Sequence, residues 1–189
     1  MVDSALAETR AWVERAVIGL QLCPFAKAPQ VKGQVRYRLS EAEDVESLLG
    51  CLVAELKLIA AEPPERLETT LLVHPRVLTA FEDHNDFLEV AEAALAELDL
   101  EGVIQIASFH PDYRFADSEP DDIANATNRS PHPTLHLLRE DSIERALATF
   151  PDPDAIYEAN IATMERLGPD GWAALRRECR EDAEAAGGS

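Results

Sequence analysis

The sequence predicts one α/β domain, a layered sandwich in which helices flank a mainly parallel or mixed four-stranded sheet. Three observations lead there. Segments with apolar residues three and four apart alternate with short runs suited to strands. One run, Thr69 to Val73, is almost wholly apolar, the pattern of a strand buried on both faces. The 189 residues, 46% of them apolar, suffice for one core, and neither a repeat nor a linker marks a second. The domain is expected over 1–182, with 183–189 as a frayed tail.

The elements follow in order. Leu6, Trp12, Val13, Ala16, Val17 and Leu20 form one apolar face, so residues 4–20 read as a helix, with Asp3 or Ser4 to cap it. Pro24 stops it, and 26–33 reads as a loop. Val35, Tyr37 and Leu39 alternate with Arg36 and Arg38 as a half-buried strand. Ser40 and Glu43 have the spacing of a capping box, which predicts a helix from there to Pro63-Pro64. After the Thr69–Val73 strand, a helix is expected over about 84–98, with Phe87, Leu88, Ala91, Leu95 and Leu98 inward. Gly102 breaks the chain before a strand from Val103 to Phe109. Thr134 to Leu138 reads as the fourth strand. Two or three helices finish the chain: Asp152-Pro153 opens one and Gly168 closes it.

Composition narrows the function. A net charge of −19 would be repelled by a nucleic acid or an anionic membrane, so neither is expected as a partner. Cys23, Cys51 and Cys179 are an odd, scattered set without a CxxC pair, which fits a reducing cytoplasm rather than a disulfide framework. The opening residues lack a signal-peptide pattern, and no apolar run has the length of a membrane span. The scattered glycines form neither a Rossmann fingerprint nor a P-loop, and no GxSxG elbow is present.

Candidate chemistry concentrates between Gln105 and Glu140. The polar stretch from His110 to Pro133 is long for a structureless loop; such loops in compact domains are usually functional or disordered, and a merely structural Ω-type loop is the alternative. Its aromatics, arginine and asparagines fit an ordered one. His74 and His110 each follow an apolar strand and precede proline, the position from which α/β sheets present ligand-binding groups. His136 lies inside the fourth strand. If the strands are neighbours, His74, His110 and His136 converge, with Asp112 and Glu140 nearby. That set suits acid/base catalysis, or with Glu140 a zinc, iron or manganese ion. The plain alternative is that His-Pro marks a turn and a strand histidine is simply hydrogen-bonded. Cys23 is a further nucleophile candidate, although a helix C-terminus gives a thiolate the wrong dipole. Arg129 and Arg139, with Tyr113 and Asn128, are candidates for binding a small anionic molecule. Internal pairing of these arginines is the competing use.

Several blocks carry a resemblance: Leu22-Cys23-Pro24-Phe25-Ala26, Thr69 through Pro75, Asn85 through Leu88, Gln105 through Tyr113, Asn128 through Pro131 and Leu135 through Glu140. In these blocks the chain resembles a bacterial family known only as domain of unknown function 1415, over about residues 10–167. The resemblance implies a small, stand-alone cytoplasmic protein and no named activity. In the family pattern aromatics are common at the places of His84 and His132, which implies that those two are poor ligand candidates. The resulting expectation is a small-molecule enzyme with a histidine/carboxylate cluster, with or without a divalent metal. A non-catalytic binding module, whose 110–133 loop recognises a protein or small anion, is its rival.

Overall fold

A computed structural model describes residues 2–148, 152 and 154–187. Four strands, β1 (Val35–Leu39), β2 (Thr69–Val73), β3 (Ile104–Phe109) and β4 (Thr134–Arg139), form one mixed sheet in the order β1-β2-β4-β3. β1 and β2 run parallel, while β4 is antiparallel to both its neighbours. The C-terminal ends of β1, β2 and β3 therefore share one edge of the sheet with the start of β4.

Helices cover both faces. On one, α3 (Val45–Ala61) and α4 (Phe81–Glu97) bury Leu48, Leu52, Leu56, Ile59, Phe87 and Leu95 against Leu72, Ile104, Ile106, Leu135 and Leu137. On the other, α1 (Val2–Trp12) and α6 (Asp154–Gly187) pack Trp12, Met164 and Trp172 on Tyr37 and Leu71. Each strand feeds alternate residues to the two cores, as the pleat requires. β2 is buried along its whole length, as its composition predicts.

The differences from expectation have local causes. α1 begins at Val2, so neither Asp3 nor Ser4 stands at its start, and its continuation Val13–Ile18 is π-helical. The expected loop at 26–33 contains a short helix, α2 (Lys27–Val31). Ser40 does not cap α3: its N–H bonds to Val73 O, extending the β1–β2 ladder, and its hydroxyl accepts from Ala42 N. Asp44 is the cap, accepting from Ser47 N at 2.7 Å. The 110–133 segment carries a 3₁₀ turn, Ile123–Asn128, and a short helix, α5 (Glu140–Leu147), follows β4 directly. α6 is broken at Gly168 (φ 66°), the expected stop, and resumes at Pro169. It continues through Gly187 with Ala183 buried, past Asp182 where fraying was expected. Pro153 lies outside the described residues. No helix is long and apolar enough to cross a membrane among the described residues.

Candidate functional site

Three histidines meet where β2 and β3 end. His74 continues the alternation of Thr70 and Leu72, and His110 that of Ile104 and Ile106, so both rings leave the sheet toward α4. The first turn of α4 supplies the third, His84. The His74 and His84 rings are stacked with centroids 5.2 Å apart, and His84 lies 5.2 Å from His110. All three residues are completely buried.

The backbone fixes how two of them carry their protons. Val77 O can only accept, so the 3.0 Å contact makes His74 Nδ1 the N–H and leaves Nε2 a bare lone pair. Asp112 N–H donates to His110 Nδ1 at 3.0 Å, which puts the proton of neutral His110 on Nε2. His74 Nε2, His110 Nε2 and both nitrogens of His84 have no hydrogen-bond partner. Burial pushes His74 down to about 4, with the His110 charge adding a smaller push the same way. Burial, then the His74 and His110 charges, push His84 down to about 3. Burial also lowers His110, opposed by the Asp112 carboxylate and by the nearby carbonyls of Leu78 and Thr79. Those carbonyls favour a charged ring without reaching hydrogen-bond geometry on Nε2. Leu78 itself has φ 55°, a left-handed conformation that a branched side chain rarely adopts.

The polar loop closes over this cluster. Phe81 lies 5.6 Å from His110 and 5.4 Å from Tyr113, and Tyr113 packs on Phe115 at 5.1 Å. Asn125 organises the loop from inside: Oδ1 accepts from Phe115 N and Ser118 Oγ, and Nδ2 donates to Glu119 O. Arg129 donates to Tyr113 O and Pro120 O. Asn128 contributes its carbonyl, which accepts the His110 N–H.

Those contacts redistribute the expected site. His74 and His110 converge, but His136 does not join them. It pairs with Leu71 and Ala107 on the opposite face of the sheet, 6.0 Å from Phe109. Thr69 Oγ1 donates to Leu137 O, so it accepts from His136 Nε2 at 2.7 Å. His136 is therefore hydrogen-bonded into its strand. It keeps some exposed area but is densely surrounded, and burial pushes it down to about 4. Glu140 follows the last residue of β4, which pairs with the first of β3, so it sits at the far edge of the sheet. The expected His74, His110, His136 and Glu140 metal set is thus split between two faces and two edges. Among the described residues no three His, Cys, Asp or Glu side chains are arranged to hold a metal ion. Arg139 is also at that far edge, and its guanidinium binds Ile59 O, Glu62 O and Leu67 O. Both candidate anion-binding arginines hydrogen-bond to main-chain carbonyls, not to the internal carboxylates Asp121, Asp122 or Glu140, the expected alternative to substrate binding.

A family described as "Protein of unknown function (DUF1415)" matches residues 4–174. The chain belongs to the DUF1415 family. No curated protein and no solved structure matches it.

In this DUF1415 chain the Cys23 thiol is held up by burial, against weaker backbone hydrogen bonds at Phe25 and Ala26, so it stays protonated at neutral pH. Asp112 keeps an exposed side chain beside His110. His84, which the family pattern made a poor ligand candidate, lies in the same cluster; His84, Phe87, Ala91 and Leu95 fall on one helical face, a spacing visible in the sequence. Asn125 left no comparable signal.

Proposed function

We propose that the protein is an enzyme performing acid/base chemistry on a small carbonyl or carboxylate compound at the edge where β2 and β3 end. The observation that supports this is the set of four unpartnered ring nitrogens on three buried, neutral histidines. Native proteins rarely leave such groups unsatisfied, and functional sites are where they do. The two outer rings have opposite polarity. His74 offers a lone pair at Nε2, suited to accept a proton. His110 offers an N–H at Nε2, suited to polarise an oxygen that becomes negative. A neutral imidazole is the effective donor for this, because it is a weaker acid than imidazolium and stays bound to the developing charge. His84 lies between them and can give or take the same proton. Asp112 holds the His110 tautomer through its backbone, and Phe81 with Tyr113 excludes water until the loop moves. A cytoplasmic, bacterial setting fits this reading.

Carbon-13 and nitrogen-15 spectra of the rings test it during a screen of small carbonyl and carboxylate compounds. A ligand is expected to raise the melting temperature and to shift the His74 and His110 resonances. His110→Ala should abolish that response while still folding. Loss of folding in His74→Ala, His84→Ala and His110→Ala alike, with no compound moving the rings, would leave the cluster as packing. That result would favour the second reading, a binding module, which is supported by the complete burial of all three rings.

A further inference from the structure

The chain has two tryptophans, and the fold brings both to one recess. Glu8 and Trp12, four apart on α1, form one side of it. Trp172, Arg176 and Cys179, spaced by four and three on α6, form another, and Arg129 comes from the loop before β4. The tryptophans are buried, 2% and 6% exposed, yet neither Nε1 has a hydrogen-bond partner. An indole nitrogen can only donate, and a buried one ordinarily finds an acceptor. The space left between these side chains is about 10 Å³. That is about what one water-sized particle needs, and too little for phosphate, sulfate or a carboxylate compound.

Neither arginine of the recess forms an ion pair among the described residues. Arg129 donates to two main-chain carbonyls, Tyr113 O and Pro120 O, which leave its charge in place. Burial lowers Arg129, and the Arg176 charge pushes the same way against Asp112 and Asp122, so the two guanidiniums are near enough to repel. The carboxylate that lines the recess, Glu8, accepts from His132 Nε2 at 3.2 Å. Asp122 is engaged in capping the 3₁₀ turn through Ala124 N. Burial pushes the Cys179 thiol up to about 11, so it adds no negative charge.

We infer that this recess binds one chloride ion, held by the N–H groups of Trp12 and Trp172 and by the guanidiniums of Arg129 and Arg176. The unpartnered groups are donors only, so the occupant must accept, which excludes a cation. A water would satisfy the indoles but would have two hydrogens of its own to place, and Glu8 is already engaged with His132. Chloride accepts without donating, and it lessens the repulsion between the two guanidiniums. Because Arg129 also holds Tyr113 O and Pro120 O, the ion ties the 110–133 loop to α1 and α6.

The test titrates sodium chloride into the full chain at constant ionic strength, in place of sodium methanesulfonate, which screens equally and is too large for the recess. The two indole N–H resonances are the readout, since both tryptophans line the site. Both are expected to move together and to saturate, half-way at about 10 mM chloride or below. Arg176 is exposed, so Arg176→Gln should fold as before and weaken binding about threefold or more. Trp172→Phe keeps a ring in place and removes one donor, and it should weaken binding about tenfold, read at Trp12. Movement of one indole alone, a drift that does not saturate, or unchanged affinity in either variant would overturn the inference. So would undiminished magnetisation transfer from an ordered water to both indoles at the highest chloride, because water would then be the occupant.

Discussion

Arg139 stands out in the sequence as a cation in an acidic chain, and its role is fixed by what it touches. Its Nη2 lies 2.6 Å from Ile59 O and from Glu62 O, at the C-terminal end of α3 where helical carbonyls lack partners and the dipole is negative. Leu67 O accepts from the same fork. Arg139→Lys keeps the charge and loses the fork, and it should cost roughly 2 kcal/mol. A lower urea midpoint with an unchanged slope would show this. Any ligand response at His110 should survive, since Arg139 lies at the opposite edge of the sheet. Asn125→Ala is expected to lose roughly 1–3 kcal/mol as Phe115 N and Glu119 O lose their buried partner. Unlike Arg139→Lys, it should also make the 110–133 amides exchange faster. At this scale the sequence was only partly legible. His-Pro after a strand places His74 and His110 at the sheet edge, where both pack against His84. His136 misled because β2 is apolar on both faces, so nothing in its residues said which face a neighbouring histidine would share.

Helices and strands are more legible in the sequence than their ends. The four strands fall where alternation or apolar runs placed them, because period-2 patterning is set by burial. Helix starts were harder, as Ser40 shows. A capping box is a local signal, and the ladder bond to Val73 outcompetes it. The π-helical segment after α1 had no signal at all, since its apolar residues suit an α-helix equally well. It has a sharp consequence at its exit. Gly19 N bonds Glu14 O across five residues, and a Cβ on Gly19 would collide with the Arg15 carbonyl. Gly19→Ala, stabilising in an ordinary helix by about 1 kcal/mol, is expected to destabilise here. A lower melting temperature, with altered amide shifts confined to 13–23, would confirm it.

The molecule as a whole should be sensitive to acid in a range where most carboxylates are still charged. Four histidines have folded pKa values below the ordinary 6.5, so the unfolded chain binds more protons than the folded one as pH falls. Their contribution to stability is complete above about 6.5 and is lost progressively toward 4. For His74 and His136, each moved from 6.5 to about 4, the loss is roughly 3 kcal/mol per ring. Relief of carboxylate repulsion works the other way, but it grows mainly below pH 5, where those groups begin to protonate. Urea denaturation from pH 7.5 to 5 should therefore show falling stability, and His136→Gln should reduce the slope by about one proton. Salt should raise stability at pH 7.5 by screening the −19 charge. The strand order β1-β2-β4-β3 adds a constraint in time. During synthesis β1, α3 and β2 emerge first, and β3 later, yet the strand that joins them is the last of the four to leave the ribosome. Until residue 139 is out, β2 presents a bare, apolar edge with no neighbour on that side. A nascent chain stalled before Thr134 should therefore be a strong client for chaperones, and release of that hold should coincide with the arrival of β4.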